Sequence, residues 1–496
     1  MVMKHFGAKK SAVLLGYLLG VCTGLGSPVK AEAILHAFGW SYQDIANQAD
    51  AIAKAGYKAV LVSPPLKSPR HDGCAWYLRY QPQDFRVIDN CDGNKQTLLT
   101  AIQALKSKGV RTYADVVVNQ MANERNNSTT FPGLETLRDY STNASYWRQQ
   151  ILYGDADKDG ILDNGFLPND DQHDGLFGPQ DFHAERCIQN YNDKESVLRD
   201  RICGPSPDRG LPDLKDTSPT DNWVNKQRKQ YIQALYDLGI RGFRIDAAKH
   251  MSTDAIKSFI PNDIRNNAHI FGEIITWGGT TEKEYQLYLE PYLRDLPAEF
   301  SAYDFPLLNA LKRAFAFGGN FTDIAFPYVT GNALENRRSV TVVVTHDIPY
   351  NESFRSLIMD KKDEELAYAY ILGRDGGSPL VFDDGSSGKI DNGRWSNVWN
   401  DPLMTRMISF HNRLQGQPME IVASDPCALL WRRGEYGIVA INKCDGEVSF
   451  RVDTRFRFKW NHPYRDLLSQ TVLPPIQGPD YTFKIPGRSA QMWIAD

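Results

Sequence analysis

The sequence predicts a parallel (β/α)₈ barrel with an irregular domain inserted after the third strand, followed by an antiparallel β-sandwich. Three observations lead to this fold class. Short runs rich in β-branched and aromatic residues alternate with amphipathic stretches over most of the chain. The alternation is interrupted between about Met121 and Pro219. It changes character again from about Pro402 onward, where short β-rich segments are separated by turns.

The predicted barrel strands are short and apolar, and an amphipathic stretch such as Leu98 to Leu105 lies between one strand and the next. In a barrel of this kind the chemistry lies at the carboxyl ends of the strands, and polar side chains cluster at those positions here. The eight predicted strands are Ile34–Phe38, Ala59–Ser63, Arg111–Val118, Gly242–Asp246, Ile270–Ile274, Ala302–Phe305, Thr341–Thr345 and Pro379–Phe382.

The two remaining regions are predicted from their composition. The stretch 121–218 is rich in Asp, Asn and Gly and is too long for a plain loop, so we expect a small inserted domain. The barrel then comprises 32–120 and 219–401, and the sandwich comprises 402–496. The predicted sandwich strands include Ala428–Trp431, Gly437–Asn442, Val448–Val452 and Tyr481–Ile485.

Residues 1–31 have the pattern of an export signal. Lysines at the start precede an apolar run from Ala12 to Leu25, and small residues flank Lys30 before the expected cleavage point. A retained membrane anchor is the alternative, although the run is short for a bilayer. No later stretch is apolar enough to cross a membrane, so we expect a secreted or periplasmic protein without a membrane segment in its mature form.

Cysteine spacing agrees with export. Of seven cysteines, Cys22 lies in the predicted signal, and the other six form three close pairs along the sequence. Short loops of this kind suit disulfides made in an oxidising compartment, although six free buried thiols remain the alternative. The pairs are Cys74 with Cys91, Cys187 with Cys203, and Cys427 with Cys444.

Charge and composition narrow the class of partner. Lys and Arg total 56 against 60 Asp and Glu, which gives a formal net charge of −4. This balance predicts no attraction to nucleic acid or to an anionic membrane surface. The 42 % hydrophobic content is ample for a buried core, and a neutral partner such as a sugar is compatible with the charge. We expect a monomer.

Four predicted strands end in charged groups. Buried carboxylates are costly unless they are paired or used, so several of them converging at one barrel face need a reason. The four segments are Asp115–Gln120, Gly242–His250, Phe271–Ile275 and Val343–Asp347.

Glycoside hydrolysis supplies such a reason, because it needs a carboxylate and a carboxylic acid on either side of the bond that is cut. Asp246 and Glu273 end adjacent predicted strands and can approach each other. Arg244 points to the same face as Asp246, so we expect the cation to keep Asp246 ionised as the nucleophile. The charge of Asp246 favours the protonated form of Glu273, which is then the proton donor. Asp347 is the expected third acid, which orients sugar hydroxyls.

In this order and spacing, the four segments resemble the conserved regions of the α-amylase family of glycoside hydrolases (family 13). The likeness runs from about Ile34 to the C-terminus. Leu211–Leu214 resembles the family's fifth short region, and Trp76–Pro82 resembles the aromatic substrate platform of animal-type and related bacterial members. The ordered set is far more specific than any single segment.

The resemblance implies a role for each matching residue. Asp246 is similar to the family nucleophile, Glu273 to the acid/base and Asp347 to the transition-state stabiliser. Ordinary core packing is the alternative interpretation of the three aromatic residues, and aromatic faces also bury the apolar side of a glucose ring. The implied positioning and substrate-binding residues are Trp76, Tyr77, Tyr80, Gln81, Gln120, Arg244, Lys249, His250 and His346.

The resemblance also implies a structural Ca²⁺ between the barrel and the inserted domain. Its ligands would be the side chains of Asn119 and Asp213 and the backbone carbonyl of His250, and such oxygen ligands suit this hard cation. For Asn119 the alternative is a satisfied strand-end amide. A second Ca²⁺ is possible at a loop with alternating acidic residues, although Phe166 stands where a calcium loop has a bidentate Glu, and a solvated acidic loop fits equally well. The acidic residues of that loop are Asp155, Asp157 and Asp159.

Two positions depart from the family pattern. Gln120 stands where a His usually bonds the sugar being cleaved, and loss of one charge-assisted bond predicts catalysis weakened by about 1–2 kcal/mol. Thr345 replaces the Asn that helps to bind chloride in chloride-activated members, and Pro379-Leu380 stand near the position of a further basic ligand. We therefore expect no dependence on chloride.

The function that follows is endo-acting hydrolysis of starch, glycogen and related α-1,4-glucans with retention of configuration. An exo-acting maltooligosaccharide-forming enzyme or a transglycosylase would share the same catalytic residues. A catalytically silent glucan-binding protein is a remote alternative, since such proteins typically lose one acid. Here Asp246, Glu273 and Asp347 are all present.

Overall fold

The computed structural model describes residues 32–124, 128–155, 158, 176–216, 222–386, 390–455, 457–459 and 461–495. The expected export signal, as well as Asp157 and Asp159 of the second expected calcium loop, lies outside the described residues. Within the described part, the strands are β1 (Ile34–Phe38), β2 (Ala59–Val62), β3 (Asp89–Asn90), β4 (Gly93–Asn94), β5 (Arg111–Val116), β6 (Gly242–Ile245), β7 (His269–Gly272), β8 (Phe300–Tyr303), β9 (Ser339–Val342), β10 (Ser378–Asp384), β11 (Met419–Ser424), β12 (Ala428–Arg433), β13 (Gly437–Asn442), β14 (Val448–Asp453), β15 (Tyr464–Asp466), β16 (Val472–Leu473), β17 (Asp480–Ile485) and β18 (Ser489–Ala495).

Helices connect these strands. The α-helices are α1 (Tyr42–Ala55), α2 (Lys95–Ser107), α3 (Leu134–Thr142), α4 (Ala144–Gln150), α5 (Lys194–Arg199), α6 (Trp223–Leu238), α7 (Thr253–Phe259), α8 (Asn262–Asn267), α9 (Glu290–Asp295), α10 (Phe305–Phe315), α11 (Asp347–Tyr350), α12 (Lys361–Gly373) and α13 (Pro402–Arg413).

The predicted barrel is confirmed. A closed ring of parallel strands runs in the order β1, β2, β5, β6, β7, β8, β9, β10 and back to β1. Because the strands are covered by helices outside and filled with side chains inside, nearly all of their residues are buried. All eight strands are those predicted from the sequence, which places the expected chemistry at one end of the barrel.

Several strands end earlier than the sequence pattern predicts. The third barrel strand β5 ends at Val116 rather than Val118, and β9 ends at Val342 rather than Thr345. β7 and β8 are likewise displaced toward the N-terminus. Apolar residues continue beyond the last ladder hydrogen bond because the loops at this face are also buried. The polar residues after them therefore lie in loops that turn into the cleft.

Local signals fix the helix ends. In α1, the side chain of Ser41 accepts a hydrogen bond from the backbone N–H of Asp44, which satisfies one of the free donors of the first turn. The helix ends at Gly56, whose φ of 99° is in the left-handed region that only glycine adopts without strain. In α2, Asn94 and Thr97 form a reciprocal capping box. These two helices pack against each other on the outside of the barrel.

The inserted stretch between β5 and β6 is irregular, as predicted. Its described part contains the short helices α3, α4 and α5 and several isolated bridges, including one between Gln120 and Asp213 at the barrel face. The carbonyl of Pro212 accepts a hydrogen bond from the N–H of Met121. The insertion is therefore tied to the end of the barrel from which the active cleft opens.

The C-terminal part is antiparallel, as predicted. One sheet has the strand order β11, β12, β13, β18, β15, β16, and β14 pairs with β17 in a second sheet. Trp431, fully buried in β12, donates from its indole N–H to the carbonyl of Gly373 at the end of α12 at 3.0 Å. This contact fastens the sandwich to the barrel.

The cysteine pairing predicted from sequence is confirmed by three disulfides. Cys74 is bonded to Cys91, Cys187 to Cys203 and Cys427 to Cys444. The first disulfide encloses the segment Trp76–Pro82, and the second lies in the insertion. The third joins two turns of the sandwich. Among the described residues, no helix is both long enough and apolar enough to cross a bilayer.

Candidate active site

Three carboxyl side chains meet at the carboxyl ends of neighbouring barrel strands. Asp246 follows β6, Glu273 follows β7, and Asp347 begins α11 after β9. All three line one open cleft with a volume of about 1800 Å³. The polar strand ends singled out from the sequence are thus brought together at one place.

One fully buried guanidinium connects the acids. The Nη1 atom of Arg244 donates to Asp246 Oδ1 at 2.9 Å and to the two oxygens of Asp115 at 2.6 and 2.7 Å. Its Nη2 atom donates to Glu273 Oε1. Arg244 and Asp115 are register partners across β5 and β6, so the barrel itself sets this contact. Since Asp246 and Glu273 bind the same guanidinium, they are held as neighbours.

A further contact orients Glu273. The backbone N–H of Ala247 donates to Glu273 Oε2 at 3.1 Å. In addition to burial, the charge of Glu273 raises the pKa of both Asp246 and Asp347, because like charges disfavour ionisation of a neighbour. Asp115, Asp246, Glu273 and Asp347 are defined here as the acid cluster.

The expectation that Arg244 keeps Asp246 ionised is wrong for the free cleft. Burial raises the pKa of Asp246 to about 8, and Arg244 acts in the opposite direction without compensating it. The charges of Glu273 and Asp115 raise this pKa further. Burial also raises the pKa of Asp115 to about 6 and the pKa of Asp347 well above its usual value. A single guanidinium cannot neutralise four buried carboxyl groups.

This electrostatic imbalance makes stability depend on pH. The pKa of Asp246 is about 8 in the folded protein against a reference value of 3.8, so the folded state binds this proton more tightly. The group therefore favours folding at acid pH, and this contribution is lost as the pH rises toward 8. When the pH is raised from 5 to 8, the wild type should lose this contribution, whereas the Asp246→Asn variant has no such contribution to lose. The unfolding free energy of the variant should therefore rise relative to that of the wild type by at least about 1.4 kcal/mol. Urea unfolding at the two pH values measures it.

The matched control for this prediction is Asp453→Asn. Asp453 is an exposed aspartate whose pKa is lowered to about 2 by its hydrogen bond with Arg455. It is ionised at both pH values in the folded and the unfolded state, so the control should show no gain. An Asp246→Asn variant that loses stability relative to the wild type from pH 5 to pH 8 would contradict the raised pKa.

Aromatic rings form the floor of the cleft. Tyr80 and His346 are stacked at 4.8 Å between ring centroids with an interplanar angle of 2°, and Phe38 stacks on His346 at 4.9 Å. The Tyr80 hydroxyl donates to Asp115 Oδ2 at 3.0 Å. Burial lowers the pKa of His346 well below its usual value, so this imidazole is neutral. Both interpretations of Tyr80 hold geometrically, because it packs in the floor and also lines the cleft.

The other predicted platform residues lie nearer the solvent. Trp76 is half-buried and contacts the ring of Tyr350 at 5.6 Å, whereas Tyr77 is 42 % exposed. Both line the cleft. Gln81 lines it too, and its side-chain oxygen accepts a hydrogen bond from the N–H of Asn123 at 3.1 Å.

Gln120 lies beside the expected nucleophile. Its Nε2 atom donates to the carbonyl of Tyr80 at 3.3 Å and reaches Asp246 Oδ2 at 3.5 Å. Its Oε1 atom is buried and has no hydrogen-bond partner within the described part of the chain. An acceptor is thus available beside Asp246.

Lys249 and His250 lie at the boundary with the insertion. The Lys249 ammonium donates to the carbonyl of Ile275 at 3.0 Å, pairs with Glu284 and lies 4.7 Å from the ring centroid of Tyr191. His250 Nδ1 is 3.2 Å from the carbonyl of Val197 in the insertion, and burial lowers the pKa of His250 to about 3. Both residues line the cleft.

Two of the three expected calcium ligands, Asn119 and Asp213, are in contact. Asn119 Nδ2 donates to Asp213 Oδ1 at 3.0 Å, and His183 Nδ1 lies 2.6 Å from Asp213 Oδ2. Burial raises the pKa of Asp213 to about 6. Over the described residues, no group of three or more His, Cys, Asp and Glu side chains could by itself hold a metal ion. Asp155 is half-buried and lines a separate groove beside α6.

Sequence reasoning missed four residues of the site. Asp115 was visible as part of a polar strand end, but its bonds to Arg244 and Tyr80 depend on the register of β5 and β6. Glu284 pairs with Lys249 from a distant segment. Phe38, the last residue of β1, and Tyr350, in the segment after β9, contribute rings beneath and beside the cleft, and only their place at the cleft end of the barrel could have indicated it.

A barrel whose strand ends present an arginine-bridged pair of carboxyl groups and a third acid defines a glycoside hydrolase. Comparisons with known proteins agree. The sequence model of the α-amylase catalytic domain matches residues 40–169. An α-amylase of Aeromonas hydrophila is 42 % identical over 462 residues, which cover 92 % of this chain and 94 % of that protein. The chain belongs to the α-amylase family.

Solved structures show the same fold. A variant of α-amylase I from Eisenia fetida in complex with maltohexaose superposes with a TM-score of 0.71 at 19 % identity, covering 95 % of this chain and 98 % of that chain. A cyclomaltodextrin glucanotransferase with a three-domain ABC distribution gives a TM-score of 0.66 at 21 % identity, covering 91 % and 90 % of the two chains. The fold is thus shared by hydrolysing and transferring enzymes, and it does not separate them.

Proposed function

We propose that the protein is an α-amylase that hydrolyses internal α-1,4 bonds of starch, glycogen and related maltooligosaccharides with retention of configuration. The observation that carries this proposal is the pair Asp246 and Glu273, held side by side by Arg244. Two neighbouring carboxyl groups that share one guanidinium fit the nucleophile and the acid/base of a retaining enzyme. The α-amylase of Aeromonas hydrophila supports the substrate class, since the identity extends over nearly the whole of both chains.

In the first step, the Asp246 carboxylate attacks the anomeric carbon while Glu273 donates its proton to the leaving glycosidic oxygen. The bond between carbon and leaving oxygen breaks, and a glycosyl ester on Asp246 forms. Burial alone disfavours the ionised form of Asp246. Positive charge develops on the sugar in the transition state, and this charge favours the ionised carboxylate. Asp347, which lines the cleft together with Glu273, would bond hydroxyls of the same distorted ring.

In the second step, Glu273 takes a proton from water, and the resulting hydroxide oxygen attacks the anomeric carbon. The ester bond breaks, Asp246 leaves as a carboxylate, and the sugar is released with its original configuration. Arg244 holds both acids in place throughout, and neutral His346 supports the floor ring of Tyr80. No further reactant is required.

Substrate binding is assigned to the residues that surround the acids in the cleft. Tyr80 lines the cleft beside the acids and would contact the reacting sugar, and Trp76 and Tyr77 extend the apolar surface. Polar groups for sugar hydroxyls are those of Gln81, Gln120, Lys249, His250 and His346.

Products formed from amylose test the proposal against its alternatives. An endo-acting hydrolase should give a mixture of oligosaccharides early in the reaction, with the newly formed ends in the α configuration. Chromatography at low conversion measures the sizes, and proton NMR measures the anomer. A single short product from the start would indicate exo action, longer or cyclic products would indicate transfer, and binding without products would indicate a silent glucan-binding protein.

A structural Ca²⁺ fits the contact between barrel and insertion. Asp213 is buried, and its side-chain hydrogen-bond partners within the described residues are an amide and an imidazole, so a hard cation would supply the missing positive charge. Asn119, Asp213 and the backbone carbonyl of His250 would hold it. When bound, the ion would fix the insertion against the cleft without taking part in the chemistry.

Removal of calcium should destabilise the protein. At free Ca²⁺ one hundred times its dissociation constant, binding contributes about 2.7 kcal/mol to the unfolding free energy, and dialysis against a chelator should remove this amount. Thermal unfolding with and without Ca²⁺ measures it. The Asp213→Asn variant should lose the response to Ca²⁺, whereas Asp155→Asn should keep it if one ion accounts for the effect. An unchanged melting temperature on chelation would contradict the site.

Several narrower assignments accompany this function. We propose an export signal at 1–31, barrel segments 32–120 and 219–401, the calcium-binding insertion 121–218 and the sandwich 402–496. A second Ca²⁺ at Asp155, Asp157 and Asp159 and independence from chloride stay predictions. The three disulfides favour a secreted or periplasmic protein, which we propose acts as a monomer.

A further inference from the structure

A second aromatic surface lies in the same cleft, apart from the predicted platform. Trp277 is 42 % exposed and stacks on Phe354, with 5.5 Å between ring centroids and an interplanar angle of 21°. Both residues line the cleft that contains the three acids. Trp76, by contrast, contacts Tyr77, Tyr80, His346 and Tyr350. The cleft thus has two aromatic patches, and neither the family pattern nor the sequence pattern had indicated the second.

The segment that carries Trp277 is firmly held. The carbonyl of Thr276 accepts a hydrogen bond from the buried side chain of Asn309 at 2.9 Å, and the hydroxyl of Thr276 donates to the carbonyl of Gly278 at 3.1 Å. A β-carbon on Gly279 would lie 1.9 Å from the carbonyl oxygen of Gly331, so the backbone approaches that loop as closely as only glycine allows. The backbone on both sides of the exposed indole is therefore held in place before any ligand arrives, and the ring itself rests on Phe354.

Holding a large apolar ring partly in solvent costs free energy unless a ligand covers it. A sugar ring presents an apolar face of C–H groups that fits such a ring, whereas its hydroxyls need polar neighbours. Asn351, Glu352 and Ser353 lie beside Phe354 and also line the cleft. An aromatic face with polar groups at its edge is the surface that a glucan recognises.

The strand order indicates on which side of the cleaved glycosidic bond Trp277 and Phe354 lie. Trp277 is in the loop after β7, which carries Glu273, and Phe354 is in the loop after β9, which carries Asp347. In the proposed reaction Glu273 protonates the leaving oxygen, so the part of the cleft beyond Glu273 receives the leaving group. Trp76 itself is in the loop after β2, and its ring contacts His346 and Tyr350 of the segment after β9.

We propose that Trp277 and Phe354 form a binding platform for a glucose unit on the leaving-group side of the cleaved bond. This inference rests on the proposed function and adds a residue pair that determines where along a glucan the chain is cut. Binding of more glucose units on the leaving-group side favours cleavage of the glucan further from its reducing end.

The test uses maltoheptaose labelled at its reducing end. The Trp277→Ala variant should raise KM about tenfold with kcat changed less than about twofold, because one stacked sugar contact is lost and the acids are untouched. Cleavage should move toward the reducing end, giving shorter labelled products. Trp277→Phe should recover most of the wild-type pattern. Phe354→Ala, which removes the supporting ring, should shift the pattern in the same direction and serves if Trp277→Ala does not fold.

The matched control is Phe326→Ala, which removes an aromatic ring that is 57 % exposed and is not among the residues lining the cleft. It should leave KM and the product pattern unchanged. A wild-type pattern in Trp277→Ala would overturn the platform, and a shift toward longer labelled products would overturn its assignment to the leaving side.

Calorimetry separates this inference from the proposed function. Maltoheptaose should bind Glu273→Gln about tenfold more tightly than the double variant Glu273→Gln, Trp277→Ala. This comparison needs no hydrolysis. If the wild type cuts no α-1,4-glucan, the proposed function is refuted, whatever the binding data show. If the two variants bind maltoheptaose with equal affinity, the platform is refuted, even if the enzyme is active.

Discussion

Replacing Glu273 with Gln should lower kcat on soluble starch by roughly 10³- to 10⁴-fold. The amide has nearly the shape of the carboxyl group but has no acidic proton to give to the leaving oxygen. It can still accept from Arg244, although it can no longer accept from both Arg244 and the N–H of Ala247. Substrate should therefore bind while bond cleavage stops. Initial rates of reducing-end formation measure the change.

Two controls make this prediction specific. Glu299→Gln makes the same chemical change at an exposed residue that is not among those lining the cleft, and it should keep activity close to that of the wild type. A maltosyl fluoride substrate needs no proton on its leaving group, so Glu273→Gln should still form the glycosyl ester from it, whereas Asp246→Asn should not. Starch hydrolysis by Glu273→Gln at the wild-type rate would refute the mechanism.

The Arg244→Met variant should lose about 3–5 kcal/mol of unfolding free energy at neutral pH. Methionine fills much of the same space but leaves Asp115, Asp246 and Glu273 without their shared cation. Hydrolysis of starch should also be lost, because the guanidinium is what holds the nucleophile and the acid side by side. Chemical denaturation and starch assays measure the two effects.

The pH dependence of this loss identifies its cause. Protonation of the carboxyl groups removes the charges that the missing cation had balanced, so the difference from the wild type should shrink as the pH falls from 8 to 5. Arg451→Met, at an exposed arginine paired with Asp480, should leave stability and activity unchanged. A pH-independent loss in Arg244→Met would mean that packing, rather than charge, is the main contribution of this residue.

The sequence allowed much of the architecture to be predicted because the signals are local. Strands such as Ile34–Phe38 are apolar runs of the right length, and a break in the alternation marks the insertion after β5. Closely spaced cysteines form disulfides with their neighbours along the chain. Short motifs at strand ends indicated Asp246, Glu273 and Asp347, since parallel strands of a barrel bring their carboxyl ends to one face.

Other features depended on residues far apart in the chain. The stack of Phe38, His346 and Tyr80 joins the end of β1 to the segments after β9 and β2, and Trp277 after β7 meets Phe354 after β9. Neither set of ring contacts is indicated by spacing along the sequence. Several strand ends were also predicted too far along the chain, because buried loops at this face are as apolar as the strands before them.

By itself, the sequence determined the barrel, the insertion, the sandwich and the acids that lie at the cleft, since each follows from periodicity or from short-range spacing. It indicated three close cysteine pairs, and the structure showed that they are bonded. Only the tertiary structure decided the charge balance of the acid cluster. The count of carboxyl groups around Arg244, and their distance from water, arise when separate strands close into a ring. A pKa is set by every charge and dipole nearby, and these come from across the whole fold.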